Sequence, residues 1–151
     1  MKLRNWAAAT SVLLVAATGV ALAPPAGAAA DASCYGSSCE GKDPATYCAD
    51  DAITPSGGAV WLGTAYLELR YSPSCRAAWA RISRAGYNTL DQSTPYAIVH
   101  RTSDGREYKC TVATSGTGCY TKMVNDIDVT SYAKGMWDSG SRVYEDRTSA
   151  Y

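Results

Sequence analysis

Cysteine is absent from the first 33 residues of this 151-residue chain and then occurs six times, at Cys34, Cys39, Cys48, Cys75, Cys110 and Cys119. An even cysteine count confined to one part of an exported chain implies three disulfides, and so a small fold held by covalent staples as well as by its core. Metal binding would favour paired C-x-x-C spacings or histidine partners. Here the intervening lengths are 4, 8, 26, 34 and 8 residues and His100 is the only histidine, so no metal and no cofactor is expected. Six cysteines allow fifteen pairings, among which the sequence alone does not choose. The preferred set closes Cys34 to Cys39 and leaves Cys48 for Cys75 and Cys110 for Cys119. Loop-closure entropy would then give about 3.5 kcal/mol to the Cys48–Cys75 bridge and about 2.7 kcal/mol to Cys110–Cys119.

The disulfide reading needs an oxidising compartment, and the N-terminus supplies the reason to expect one. Lys2 and Arg4 open the chain, an apolar stretch runs from Trp6 to Ala23, and Pro24-Pro25 leads into Ala26-Gly27-Ala28-Ala29-Ala30. This is the order of a secretory signal, with cleavage expected after Ala28 or Ala30. The apolar stretch approaches the ~20 residues that span a bilayer, but it is alanine-rich, contains Gly19 and has no basic cluster behind it. Asp31 lies three residues before Cys34, where a lipid anchor would want an aliphatic side chain. The expectation is residues 1–30 as signal peptide and 31–151 as one secreted, extracellular domain, not membrane-bound after cleavage. Without Lys2 and Arg4 the chain keeps 12 basic and 14 acidic residues, a formal charge of −2. Such a balance provides no global field for nucleic acid or anionic membrane.

The expected architecture is mainly β: a small single-domain sheet, sandwich or barrel-like fold with one or two short helical segments. Asp43-Pro44 forms a helix start, with an acceptor side chain followed by a residue that needs no donor. Pro55 and Gly57-Gly58 close that segment. From Ala59 to Tyr71 the residues suit a strand, with Tyr66, Glu68 and Arg70 alternating against Leu67, Leu69 and Tyr71. Residues 72–86 admit two readings. Ser72-Pro73 resembles a second cap, with Cys75, Trp79 and Ile82 on one helical face and Arg76, Arg81 and Arg84 on the other. The alternative is a hairpin in which Trp79 to Ser83 pairs back on the preceding strand; the helical turn is favoured. Asp104-Gly105 predicts a two-residue hairpin turn, which sets Val99 opposite Cys110, Ala97 opposite Val112 and His100 opposite Lys109. A further strand is expected over Cys119–Val124 and an edge strand over Arg142–Arg147.

Candidate chemistry is sparse. Any Ser-His-Asp or Cys-His mechanism must use His100, which is expected on the polar face of a strand. Asp50-Asp51 and Asp126-x-Asp128 are the densest carboxylates, but adjacency alone does not create an acid/base pair across a cleft. No calcium-loop pattern surrounds the second pair. The chain has 11 Tyr, no Phe and three Trp beyond the signal, rings that suit either a thin β core or a sugar-stacking surface; Trp79 is expected in the core. Arg70, Arg76, Arg81 and Arg84 lie in a stretch from Leu69 to Leu90 without an acidic residue, a candidate anion site. The competing explanation is that a Cys48–Cys75 bridge brings Glu40, Asp43, Asp50 and Asp51 against these arginines.

The segments CYGSSCEGKDPATYC and LELRYSPSCRAAWARI carry a further pattern, C-x-G-x-x-C-x-G-x-D-P, a third cysteine, then L-R-Y-S, a fourth cysteine and W-A-R. The matching residues are Cys34, Gly36, Cys39, Gly41, Asp43, Pro44, Cys48, Leu69, Arg70, Tyr71, Ser72, Cys75, Trp79, Ala80 and Arg81. In this pattern the chain resembles the YjfA family of secreted bacterial proteins. The resemblance implies a secreted module, with Cys34, Cys39, Cys48 and Cys75 as one self-contained set and Cys110 and Cys119 as a later pair. It implies no catalytic residue.

The function expected from the sequence is a non-catalytic extracellular or cell-surface binding module, its partner an acidic cell-wall polymer or a surface protein. The alternative is a small secreted hydrolase using Asp or Glu residues. Alkylating the mature protein, unfolded but not reduced, should label no cysteine, and its N-terminus should follow Ala28 or Ala30. Labelling of all six thiols, or an N-terminus at Met1, would contradict the exported, cross-linked state.

Overall fold

A computed structural model describes residues 34–151; the expected signal peptide lies outside the described residues. Two antiparallel sheets pack face to face. The first takes β1 (Ala59–Leu62), β2 (Ala65–Ser72), β3 (Ala77–Ser83) and β6 (Cys119–Tyr120) in that order, with β7 (Val124–Asn125) also pairing on β3. The second, built from β4 (Tyr96–Arg101), β5 (Glu107–Thr111), β8 (Ser131–Asp138) and β9 (Val143–Arg147), has the order β5-β4-β8-β9. The fold is therefore mainly β, with one α-helical turn, α1 (Pro44–Tyr47), and one 3-10 turn (Gly36–Cys39). No helix among the described residues is long and apolar enough to cross a membrane.

The core is the space between the sheets. Leu62, Leu67, Leu69, Ala78, Ala80 and Ile82 from the first sheet meet Ala97, Val99 and Ala133 from the second, with Val112 beside them. Gly135 has no room for a side chain: an added Cβ would lie 2.7 Å from the Tyr96 carbonyl in its own sheet and 3.1 Å from Leu67 Cδ1 in the facing one. A second, smaller cluster forms outside the first sheet. There Cys34, Cys39, Cys48, Cys75, Ala77, Trp79 and Met123 pack together under the segment that holds α1.

The disulfides join Cys34–Cys39, Cys48–Cys75 and Cys110–Cys119, the preferred set. Cys48–Cys75 fixes the α1 segment to the β2–β3 turn, and Cys110–Cys119 joins β5 to β6, one sheet to the other. The helix start is as expected, with Asp43 Oδ1 accepting from the Ala45 amide at 2.9 Å. The helix lasts one turn and ends at Cys48, well before Pro55. Tyr66, Glu68 and Arg70 face away from the sandwich, as their alternation implied.

Three expectations are corrected. The favoured helix over residues 72–86 is a β-hairpin: the whole of β3 pairs with β2, from Tyr66↔Ser83 to Ser72↔Ala77. Its period-two signal is hidden because Ala77 to Ala80 are buried on both faces, inside by the sandwich and outside by the cysteine cluster. The β4–β5 hairpin pairs Ala97 with Cys110, Val99 with Tyr108 and His100 with Glu107. Arg101 and Arg106 close a four-residue loop, the Asp104-Gly105 turn being part of it. The shift is two residues, so each side chain keeps its face. The strand expected over Cys119–Val124 is broken into β6 and β7, between which the Thr121 hydroxyl accepts from the Ala80 amide. The edge strand near the C-terminus is β9.

Replacing both cysteines of one bridge by serine should cost about 3.5 kcal/mol for Cys48–Cys75 and about 2.7 kcal/mol for Cys110–Cys119 by the loop-entropy argument. Urea unfolding of the two double variants measures this. A larger loss for the shorter loop would show that the tie between the sheets, rather than loop closure, sets stability.

Candidate functional site

Strand alternation puts the core residues of β2 and β3 on one side and a charged, aromatic face on the other. Across that outer face, Trp61 stands opposite Tyr66, Glu68 opposite Arg81, and Arg70 opposite Trp79, while Arg81 also pairs with Tyr120 on β6. Glu68 is only 4% exposed. Its burial is offset by donors: Arg81 Nε at 2.8 Å and Nη2 on one oxygen, Thr54 Oγ1 at 2.8 Å on the other. Arg70 lies 3.8 Å from the second oxygen and donates to Thr54 Oγ1 at 2.7 Å and to the Ala52 carbonyl at 2.8 Å. Arg70 thereby ties the segment after α1 to the sheet. Arg81 has its Nε and Nη2 engaged and remains exposed.

Between that segment and the sheet runs a groove of about 220 Å³, lined by Ala45, Ala49, Ala52, Trp79, Arg81 and Tyr120 together with Pro44 and Arg70. It is smaller than the ~300–1,000 Å³ typical of sites that enclose a drug-sized molecule. Further along the same face, Trp61 and Tyr66 have ring centroids 4.6 Å apart and the Arg84 guanidinium lies 5.5 Å from the Trp61 ring centroid. Trp61 is 55% and Tyr120 45% exposed. The face thus offers three guanidiniums against one carboxylate, with aromatic rings at both ends.

The four arginines singled out in the sequence do not form one patch. Arg70, Arg81 and Arg84 share this face, whereas Arg76 sits in the β2–β3 turn with φ 49° and pairs with Asp128 at 3.3 Å. The expected opposition of Trp79 to Arg81 is also inverted: they are on the same side of β3, and Ile82 is on the other. Nor do the acidic residues at 40–51 neutralise these arginines. Glu40 accepts from Arg101 at 2.6 Å, Asp43 lies 4.0 Å from Lys122, and Asp51 accepts from the Ser72 hydroxyl and the Ser74 amide. Those hydrogen bonds hold the Asp51 carboxyl below its ordinary range against the opposing effect of burial. Glu68, inside the strand, was not recognised in the sequence as their partner; its cross-strand position relative to Arg81 was the available signal.

The remaining candidates have separate partners. His100 stacks on Tyr132 with centroids 4.7 Å apart and its Nδ1 is 2.7 Å from Glu107, which also accepts from Lys134. Asp50 is exposed. Asp126 is buried and accepts from the Ser131 hydroxyl at 2.6 Å, while Asp128 is exposed on Arg76. Among the described residues, the group of three or more His, Cys, Asp or Glu side chains close enough to share an ion is the cysteine set 34, 39, 48 and 75, which is disulfide-bonded.

The architecture defines a disulfide-stapled β-sandwich module with a cationic, aromatic sheet face. The chain belongs to the family described as protein of unknown function (DUF2690), whose model matches residues 37–134. It is similar to the uncharacterized protein YjfA of Bacillus subtilis (strain 168), with 40% identity over 81 residues, which cover 47% of this chain and 50% of that protein. The chain therefore spans about half the length of that curated relative. No solved structure matches.

Burial raises the Asp126 carboxyl to about 6, despite the Ser131 hydrogen bond and the nearby Arg76 and Arg101 charges. A carboxyl raised on folding contributes its stability below its unfolded value, near 4, and loses it as pH rises through the folded value. Wild-type protein should thus lose on the order of 3 kcal/mol from this group between pH 4 and 7. Asp126→Asn keeps an acceptor for Ser131 and removes the titration. Its urea midpoint relative to wild type should rise across that window; parallel profiles would show that Asp126 does not titrate there.

Proposed function

We propose that the chain is an exported, non-catalytic binding module that acts outside the cytoplasm and holds an acidic polymer of the cell surface on the outer face of its first sheet. The observation that carries this reading is the union of Arg70, Arg81 and Arg84 with exposed Trp61 and Tyr120 on one rigid surface whose single carboxylate, Glu68, is buried. A guanidinium with free donors suits carboxylate or phosphate, and the pairing with Glu68 fixes Arg81 in position before a ligand arrives. The disulfides and the signal-like N-terminus support the compartment.

Sedimentation of the mature protein with a purified cell-wall fraction tests the proposal. The bound fraction should be high at low salt and fall as salt rises, because exposed charges are screened over ~8 Å at physiological ionic strength. In a Glu68→Gln background, which leaves no buried carboxylate for Arg81 to compensate, Arg81→Ala/Arg84→Ala should reduce binding at low salt while leaving the fold intact. Equal binding in that background with and without the two arginines, or none by wild type, would overturn it.

A further inference from the structure

The ligand on this face has a length as well as a charge. Trp61 lies on β1 and Tyr120 on β6, the two ends of the β1-β2-β3-β6 order. Three inter-strand spacings separate them, about 14 Å, and the register offsets them by one two-residue step, about 7 Å along the strands. The register gives that step directly, since Trp61 pairs with Tyr66 at the level of Ser83, and Tyr120 pairs with Arg81. Arg81 lies in β3 and Arg84 directly follows it, so both are carried on a strand between β1 and β6, with the Arg84 guanidinium 5.5 Å from the Trp61 ring centroid. The surface therefore alternates ring, cation, cation, ring, and the last ring opens into the groove at Trp79.

Resting on the binding reading above, we infer that this face takes a linear polysaccharide bearing carboxylates, of the uronic-acid type, laid diagonally across the strands from Trp61 to Tyr120. Two physical arguments select this class. Exposed Trp and Tyr rings stack on the C–H faces of sugar rings, which a polyol-phosphate chain does not possess. Arginines between them would then meet carboxylates carried at intervals along the polymer, each in a charge-assisted, forked contact. One sugar ring cannot reach both aromatic residues, so the two ends act as linked subsites and affinity should grow with chain length. The Trp61 end, free of groove walls, has the simpler task of stacking. Cationic and aromatic surfaces also suit single-stranded nucleic acid, and this enters the test as a competing outcome.

The experiment is titration calorimetry of the mature protein with sodium oligogalacturonates of two and six rings, at low and high salt. A neutral six-ring cello-oligosaccharide, a polyol phosphate and a single-stranded oligodeoxynucleotide serve as comparisons. The six-ring acid should bind at least about tenfold more tightly than the two-ring acid, the minimum gain expected of linked subsites. It should also exceed each comparison ligand. Trp61→Ala should remove the gain with length yet leave two-ring binding unchanged, and Tyr120→Ala should weaken both lengths. Circular dichroism confirms that these exposed substitutions leave the fold intact. Equal affinity for both lengths, or a Trp61→Ala variant indistinguishable from wild type, would overturn the extended path while wall binding through Arg81 and Arg84 stands. Tighter binding of the polyol phosphate or the oligonucleotide would overturn the sugar assignment. Absence of binding to any acid and to the wall fraction would remove both readings together.

Discussion

The pairing of β2 with β3 is the constraint on which the rest of the molecule depends. Seven residue pairs in one register send Leu67, Leu69, Ala80 and Ile82 into the sandwich and leave Glu68, Arg70 and Arg81 outside. A slip by one residue would exchange the two sets, burying three charged groups in the core and exposing the aliphatic ones. The two-faced pattern makes that alternative costly, so the interior and the candidate binding face are specified by the same hydrogen-bond ladder. The Cys48–Cys75 bridge reinforces it at the turn, and the sheet edge at β6 is tied by Cys110–Cys119.

Charge placement follows from the same register. A buried carboxylate must be compensated, and Glu68 receives donors from its cross-strand neighbour Arg81 and from Thr54. A second network performs an analogous task elsewhere. Glu40 accepts both from Arg101 and from the Asn125 amide, joining the first cysteine loop to the β4–β5 hairpin and to β7. The acidic N-terminal segment is thus occupied in holding the fold, which leaves the arginine face with excess positive charge.

Elements whose signal is local were legible in the sequence. Asp43-Pro44 announces a helical turn by its own chemistry, the alternation at Tyr66–Tyr71 states which side is buried, and the short cysteine spacings favour the pairing found. What escaped was information carried by a third element. Trp79 is covered by the α1 segment and the cysteine cluster rather than by a partner sheet, so β3 is apolar on both sides over Ala77–Ala80 and mimics a helical stripe. The β4–β5 loop is two residues wider than Asp104-Gly105 suggests; Asp104 binds the Arg101 guanidinium and the Arg106 amide across it. The candidate site was half visible: its arginines stood out as a run without acids, but their division between a sheet face and a turn depended on tertiary position.

The groove has walls of two different kinds. One is the sheet, where each side chain is held by register and ion pairing; the other is the disulfide-anchored segment, which contributes Ala45, Ala49 and Ala52. Methyl groups are the smallest side chains available on that second wall, and larger ones at these three positions would narrow or reshape the cleft without disturbing a strand or a cross-link. A lineage could therefore diversify its ligand by drift in a few codons of a covalently pinned loop, while the scaffold that displays the loop stays under an independent selection.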